Sequence, residues 1–285
     1  MSNSTKKKDV CVIVPMHSRE LNELETYSFH RIAEKYTTRD IFVVFPKHLE
    51  EYTNNLMSSH PNMKGIVFDD KYFGSVIAHM RFNLSLDFYE TFTDYKYLLV
   101  CHVDVMVIKD DLDRWLDKGY DFIGAPVFEG YTEDKTQKMK PKGANGGFSL
   151  RNIESCIKII SSNSLFFSKL SSLWNMEKIW YWKLFRIWRD GLIHNYNVFN
   201  RWPRLNEDMY WSIVVPEKYD WYKVCPPLES LDFAFEAHPK LSFELNENKA
   251  PMAVHAWWRY DKEFVLEMVK KVESGELETC EKIAI

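Results

Sequence analysis

The stretch Tyr97–Ile108 reads YLLVCHVDVMVI. Its first five residues are apolar without alternation, the pattern of a strand buried on both faces of a parallel sheet. The apolar run then gives way to His102 and Asp104, two residues apart. On an extended chain such positions point to one side. His102 and Asp104 are therefore expected together at the C-terminal edge of the strand, where open α/β sheets bind ligands. A carboxylate there can hold a divalent cation, and the cation can neutralise a diphosphate. The plain alternative is a polar strand end that caps the following helix. Spacing alone leaves both open.

Working outward toward the N-terminus, the apolar run Val10–Pro15 reads as a further buried strand, and Ile41–Phe45 and Gly65–Phe68 read as strands. Helical patterns separate them: Ser18 as a cap for a helix to about Tyr36, then Lys47–Ser58, then Ile77–Phe92. Strands alternating with helices predict a doubly wound α/β sheet. Toward the C-terminus the pattern is less regular. Phe122–Ala125 and Phe148–Leu150 read as strands, Asn152–Ser161 as a helix, and another helix starts near Glu207. A last helix is expected over Asp261–Ser274. No Gly/Ser linker divides the chain, so one domain is expected over 10–285, after a disordered polar segment 1–9.

Composition narrows the function. The chain has 285 residues, 46% hydrophobic and 27% charged, which excludes disorder as the main state. A net charge of -4 argues against a nucleic-acid partner. Aromatic residues reach 15%, which suits sugars and bases but also fills cores. Cys11, Cys101, Cys156, Cys225 and Cys280 are odd in number and widely spaced. They predict neither a disulfide framework nor a thiolate zinc site. The Lys-rich start lacks the apolar core of a signal peptide, and no window is apolar enough for a membrane span. The expectation is a cytoplasmic protein, with the inner face of the membrane as a candidate location.

Five further segments carry chemistry. FIGAP (Phe122–Pro126) and GANGGFSLR (Gly143–Arg151) flank a charged loop. Gly146 and Gly147 would allow φ > 0 and close approach of a ligand, or simply a tight turn entering a strand. NED (Asn206–Asp208) places two carboxylates at a helix start, where they serve as dipole partners or as a general base. FEAH (Phe235–His238) and VHAWW (Val254–Trp258) set histidines among aromatics. His255 could complete a metal site begun by Asp104, or be a satisfied core residue.

Taken in order, Tyr97–Asp104, Asp121–Pro126, Gly143–Arg151, Glu207–Asp208, Phe233–Glu236 and His255–Trp257 resemble a bacterial glycosyltransferase-like family. That family was long described only as a domain of unknown function. It occurs in capsule and O-antigen gene clusters and looks like divergent GT-A glycosyltransferases. The resemblance runs loosely from about Val10 to about Tyr260, and GGFSLR is its most specific part. A GT-A enzyme usually carries D-x-D, where this chain has His102-Val103-Asp104.

The resemblance implies a GT-A-like, mostly parallel sheet flanked by helices. It implies a nucleotide-binding half at 10–109 and a donor-sugar and acceptor half at 110–260, followed by a C-terminal helix and tail at 261–285. It implies a nucleotide-sugar donor, with UDP-hexose as the first choice, and a glycan or lipid-linked glycan acceptor. Pro15 and His17 would lie near the base and ribose, Asp69 near the nucleobase, and Arg81 near the diphosphate. Asp104 and His255 would bind a divalent metal, Mn or Mg, with His102 as a further donor. Gly146 and Gly147 would let the backbone approach the donor sugar. Asp208 would be the base of an inverting transfer, with Glu207 as its alternate.

The insertion 165–204 is rich in aromatics, and Trp174–Arg204 holds five tryptophans and six basic residues. On a helical wheel over Lys178–Leu192 the large apolar and the basic residues separate into two halves, apart from Ile179 and Trp182. Peripheral membrane contact through 174–204, packing on the chain's own core, and a homodimer contact all fit that pattern. Two other functions compete with transfer: a nucleotidyltransferase on a similar sheet, and a non-catalytic carbohydrate-binding protein. The first expects a Gly-rich loop after the first strand, where this chain has PMHSRELNE. The second expects glycan binding without nucleotide binding.

Overall fold

A computed structural model describes residues 7–16, 19–130, 138–162, 181 and 206–277. His17 and nearly all of the aromatic insertion lie outside the described residues. The central sheet has six strands: β1 (Lys8–Pro15), β2 (Asp40–Pro46), β3 (Met63–Phe68), β4 (Tyr95–Cys101), β6 (Phe122–Phe128) and β7 (Met139–Asn152). Their order is β3-β2-β1-β4-β7-β6. The first four run parallel, and β7 is antiparallel to both of its neighbours. The fold is therefore α/β with a mostly parallel central sheet and flanking helices, as expected.

The unbroken apolar runs of β1 and β4 are explained by burial on both faces, whereas β3, at the edge of the sheet, is mostly exposed. Cys11–Val14 and Leu98–Cys101 are fully buried. Val12, Val14, Leu99 and Cys101 pack with Phe29 and Ile32 of helix α1 (Glu23–Lys35). Cys11, Ile13, Leu98 and Val100 face the other way, toward Phe88, Phe92 and Trp211. Each face of the sheet thus has its own core, which a half-exposed strand would not need.

A second, three-stranded sheet was not legible in the sequence. It joins β5 (Met106–Val107), β9 (Ala253–Val254) and β8 (Ala234–Phe235), in that order. Each strand is only two residues long, too short for a periodic signal. Its apolar residues pack on the helix Trp257–Glu273 through Trp257, Val265 and Met268.

Several boundaries differ from expectation. The polar start is not a tail throughout: β1 begins at Lys8, whose ammonium pairs with Asp40 at 2.6 Å. Helix α1 is capped by Asn22 in a reciprocal capping box with Glu25, not by Ser18. The expected helix over Ile77–Phe92 is two helices, α3 (Val76–Phe82) and α4 (Leu86–Glu90). Asn83 ends the first, and the Ser85 hydroxyl caps the second. The apolar spacing continues across this break, so periodicity alone joins the two. Strand β7 has 14 residues, where only Phe148–Leu150 was expected. The final helix starts at Trp257 and kinks at Asp261, which has φ -160°.

Candidate functional site

The sheet order reverses between β1 and β4. From β1 the chain steps outward to β2 and β3, then returns to place β4 on the other side. Such a switch point leaves a crevice at the C-terminal edge. Ile13 pairs with Val100, so the Pro15 end of β1 lies level with the His102 end of β4.

His102 and Asp104 do meet at this edge, but not by strand alternation. Strand β4 stops at Cys101, and the Val105 N–H donates to the His102 carbonyl at 3.1 Å. That bond closes a turn through Val103 and Asp104. The His102 N–H donates to the Gly147 carbonyl at 2.9 Å, which fixes the turn to β7. Strand β9 then delivers His255, whose Nε2 lies 3.2 Å from Asp104 Oδ1. Ligand atoms of His102, Asp104 and His255 all lie within 4.8 Å of one another. Two imidazoles and a carboxylate at this spacing fit a divalent cation.

A residue that the sequence reading gave no role organises this cluster. Glu236, just beyond β8, is buried. Its Oε1 accepts from His255 Nδ1 and from Asn145 Nδ2, both at 2.9 Å. Asn145 Oδ1 in turn accepts the Gly147 N–H at 2.7 Å. A carboxylate on the far nitrogen of a histidine fixes the ring and leaves Nε2 toward the cation. Burial alone would lower the His255 pKa, but Asp104 and Glu236 outweigh it and hold it well above the ordinary imidazole value. A bound cation would replace the proton that bridges this pair.

The second centre lies on the opposite side of β7. Glu207 and Asp208 open a helix and are both buried. Glu207 Oε1 accepts from a terminal guanidinium nitrogen of Arg151 at 2.8 Å, and Arg151 is fully buried. Arg151 also donates to Tyr89 Oη at 3.2 Å and to Ser149 Oγ at 3.0 Å. Asp208 accepts the Gly146 N–H at 3.3 Å and the Met209 N–H at 2.6 Å. Burial first, and then the Glu207 charge, push the Asp208 carboxyl up to about 7. The helix continues through a π-helical segment, Tyr210–Val214. Ser212 locks that segment to β7 by accepting the Ala144 N–H at 3.0 Å. Of the two carboxylates, Glu207 is committed to Arg151, and Asp208 is the one suited to exchange a proton.

The two glycines have a different role from the one expected. Neither has a positive φ; in this strand Gly143 does, at 101°. Their small size makes room for the site itself. A Cβ on Gly147 would lie 2.1 Å from His255 Nε2. On Gly146 it would lie 2.6 Å from Glu207 Oε1. Successive strand positions face opposite sides, so these neighbours serve one centre each.

The remaining expected residues are more dispersed. Asp69 follows β3, is exposed, and binds Lys71 through its backbone N–H at 2.9 Å and its ammonium at 3.3 Å. Arg81 is exposed on α3. Pro15 ends β1 beside the crevice. His79, which the sequence reading did not single out, stands 3.2 Å from His102, Nε2 to Nε2.

No curated protein matches the chain in sequence. Among solved structures, an active-site mutant of LgtC shares 12% identity, with a TM-score of 0.48, covering 95% of this chain and 98% of its own. Mouse xyloside xylosyltransferase 1 shares 11%, with a TM-score of 0.46 and coverage of 87% and 97%. The glycosyltransferase GlyE of Streptococcus pneumoniae TIGR4 shares 11%, with a TM-score of 0.44 and coverage of 98% and 67%. Likeness at this level carries no functional argument. A family match extends over residues 62–255, from the start of β3 to His255. Since it spans more than half of the chain, the protein belongs to the family described as Protein of unknown function (DUF5672).

Proposed function

We propose that this chain is a glycosyltransferase. It would move a sugar from a nucleotide-sugar, a UDP-hexose by first choice, to a hydroxyl of a glycan or lipid-linked glycan acceptor. The observation that carries the reading is the pairing of two centres across consecutive glycines at the sheet's switch point. On one side stand His102, Asp104 and His255. On the other stands a buried carboxylate poised near neutrality.

Asp104 and His255, with His102, would hold a divalent cation, whose charge would offset the departing diphosphate. Glu236 and Asn145 keep His255 in place. Asp208 would accept the acceptor proton at its carboxylate, and a pKa near 7 suits a base at neutral pH. Glu207 and Arg151 hold the helix start that presents Asp208. Asp208 also feels the charge of Glu236, so the two centres adjoin, and an inverting transfer would need this base on the acceptor side of the sugar. Among the described residues no helix is long and apolar enough to cross a membrane. Residues 174–204 would supply peripheral membrane contact or a homodimer contact.

Calorimetric titration with UDP, with and without Mn²⁺, tests the reading, followed by a panel of UDP-, GDP- and CMP-sugars. Micromolar binding that strengthens with Mn²⁺ is expected. Asp104→Asn should weaken the Mn-dependent binding more than tenfold, a loss above about 1.4 kcal/mol. Absence of binding to every nucleotide, with and without the metal, would overturn the proposal and favour a glycan-binding protein.

A further inference from the structure

The break between α3 and α4 places Asn83 behind His79, and His79 behind His102. Asn83 is buried. Its Nδ2 contacts the His79 carbonyl at 3.2 Å and His79 Nε2 at 2.9 Å. The backbone carbonyl can only accept, so the Asn83 atom facing it must be the amide nitrogen. That fixes the orientation of the amide, and an amide nitrogen only donates. His79 Nε2 therefore accepts from Asn83 and carries no proton of its own. His102 Nε2 lies 3.2 Å from the same atom. Two bare imidazole nitrogens would repel, so the proton between them belongs to His102 Nε2. A neutral imidazole protonated at Nε2 has its lone pair on Nδ1.

We infer that His79 is a positioning residue: with Asn83 it holds His102 in the Nε2–H form, so that His102 offers Nδ1 to a divalent cation. This rests on the cation-assisted reading above. The two histidines of the cluster then bind in opposite senses. His255 gives its Nδ1 proton to Glu236 and offers Nε2. His102 gives its Nε2 proton to His79 and offers Nδ1. The rings face each other nearly edge to face, with centroids 5.7 Å apart and planes at 75°. Each ring is oriented from behind by a partner outside the cluster, as ligating histidines generally are. The departure from D-x-D is thereby accounted for: an imidazole replaces the first carboxylate, and a second imidazole holds it.

Long-range ¹H–¹⁵N NMR correlation on the full, metal-free chain labelled at histidine reads the tautomer directly. The expected pattern for His102 is a pyrrole-type Nε2 and a pyridine-type Nδ1. Titration with Mn²⁺, followed by its electron paramagnetic resonance, supplies the second readout. His79→Phe keeps the ring but removes the acceptor, and it should weaken Mn²⁺ binding about tenfold or more. His79→Gln restores a carbonyl acceptor and should recover most of that loss. A merely structural role predicts no such recovery. A pyrrole-type Nδ1 on His102 in a chain that does bind Mn²⁺ would overturn the assignment of His79 alone. Unchanged Mn²⁺ affinity in a folded His79→Phe chain would do the same. Failure of the wild-type chain to bind Mn²⁺ would overturn the cation-holding role of His102, and with it the metal part of the proposed function.

Discussion

The two edges of the central sheet carry similar residues in opposite electrostatic states. At the N-terminal edge Asp40 opens β2 and stays partly solvated. Lys8 donates to its Oδ2, Lys64 donates to its Oδ1 at 2.9 Å, and Tyr95 adds a hydroxyl at 2.8 Å. The two ammonium groups hold the Asp40 carboxyl well below the usual carboxylate range, against an opposing effect of burial. At the C-terminal edge Asp208 is buried beside Glu207, and its carboxyl is pushed the other way. One edge spends its charges on closing strand starts. The other keeps a carboxylate whose proton is easily exchanged, at the expense of stability. Displaced protonation equilibria occur at both edges, but only at the C-terminal edge does burial beside a like charge raise a carboxyl toward neutrality, the pattern of a functional site.

The largest effect expected on this contrast comes from Arg151. Arg151→Met leaves Glu207 charged and buried without its cation, which should cost about 3–5 kcal/mol in urea denaturation. Adding Glu207→Gln should recover much of that loss, because an intact buried pair and a neutral replacement are often close in energy. If the double variant is no more stable than Arg151→Met, the Arg151 bonds to Tyr89 and Ser149 matter more than the ion pair.

Asp208 sets the second effect. Its folded pKa is raised, so the folded chain keeps a proton that the unfolded chain releases near 4. The stabilisation is present in full below about pH 4 and is lost as pH rises through about 7. The loss is up to about 4 kcal/mol, by the size of the displacement. Asp208→Asn should remove this slope, so the variant gains on the wild type between pH 5 and pH 8. Transfer at saturating donor should fall about a hundredfold. Equal slopes in the two proteins would place the raised equilibrium elsewhere.

Gly147→Ala tests the close approach to His255. Its Cβ cannot coexist with the imidazole in the present position. Mn²⁺ affinity should drop at least tenfold, about 1.4 kcal/mol. Unaltered affinity would mean that His255 can move without loss of the cluster.

The smallest effect is expected at the opposite edge. Asp40→Asn should cost about 1 kcal/mol or less, as for other partly solvated ion pairs. Its pH dependence should run opposite to that of Asp208. A lowered folded pKa contributes stability above the unfolded value near 4, and that contribution is lost as pH falls below it. The urea midpoints of wild type and variant should therefore converge on acidification.

The sequence by itself determined the sheet. Apolar runs such as VCVIVP and YLLVC can only be satisfied when both faces are covered, and their alternation with helical segments leaves little choice of class. It also singled out Asp104, His255 and Asp208, each beside a plain structural alternative, and only the family resemblance tipped them toward site roles. Tertiary structure alone decided how those residues meet. His102 and Asp104 share a side because of a turn pinned to β7, not because of strand pleating. Glu207 and Asp208 look equivalent in NED, yet a buried Arg151 from 56 residues earlier takes one and leaves the other. Glu236 stands in a segment of the resemblance without a role, and His79 carries no signal of its own. Their importance lies in which nitrogen of another residue they face, a relation fixed only when distant strands and helices pack together. Local pattern encodes burial, which is a property of each position. Protonation and ring orientation are properties of pairs, and the pairs form only in the folded chain.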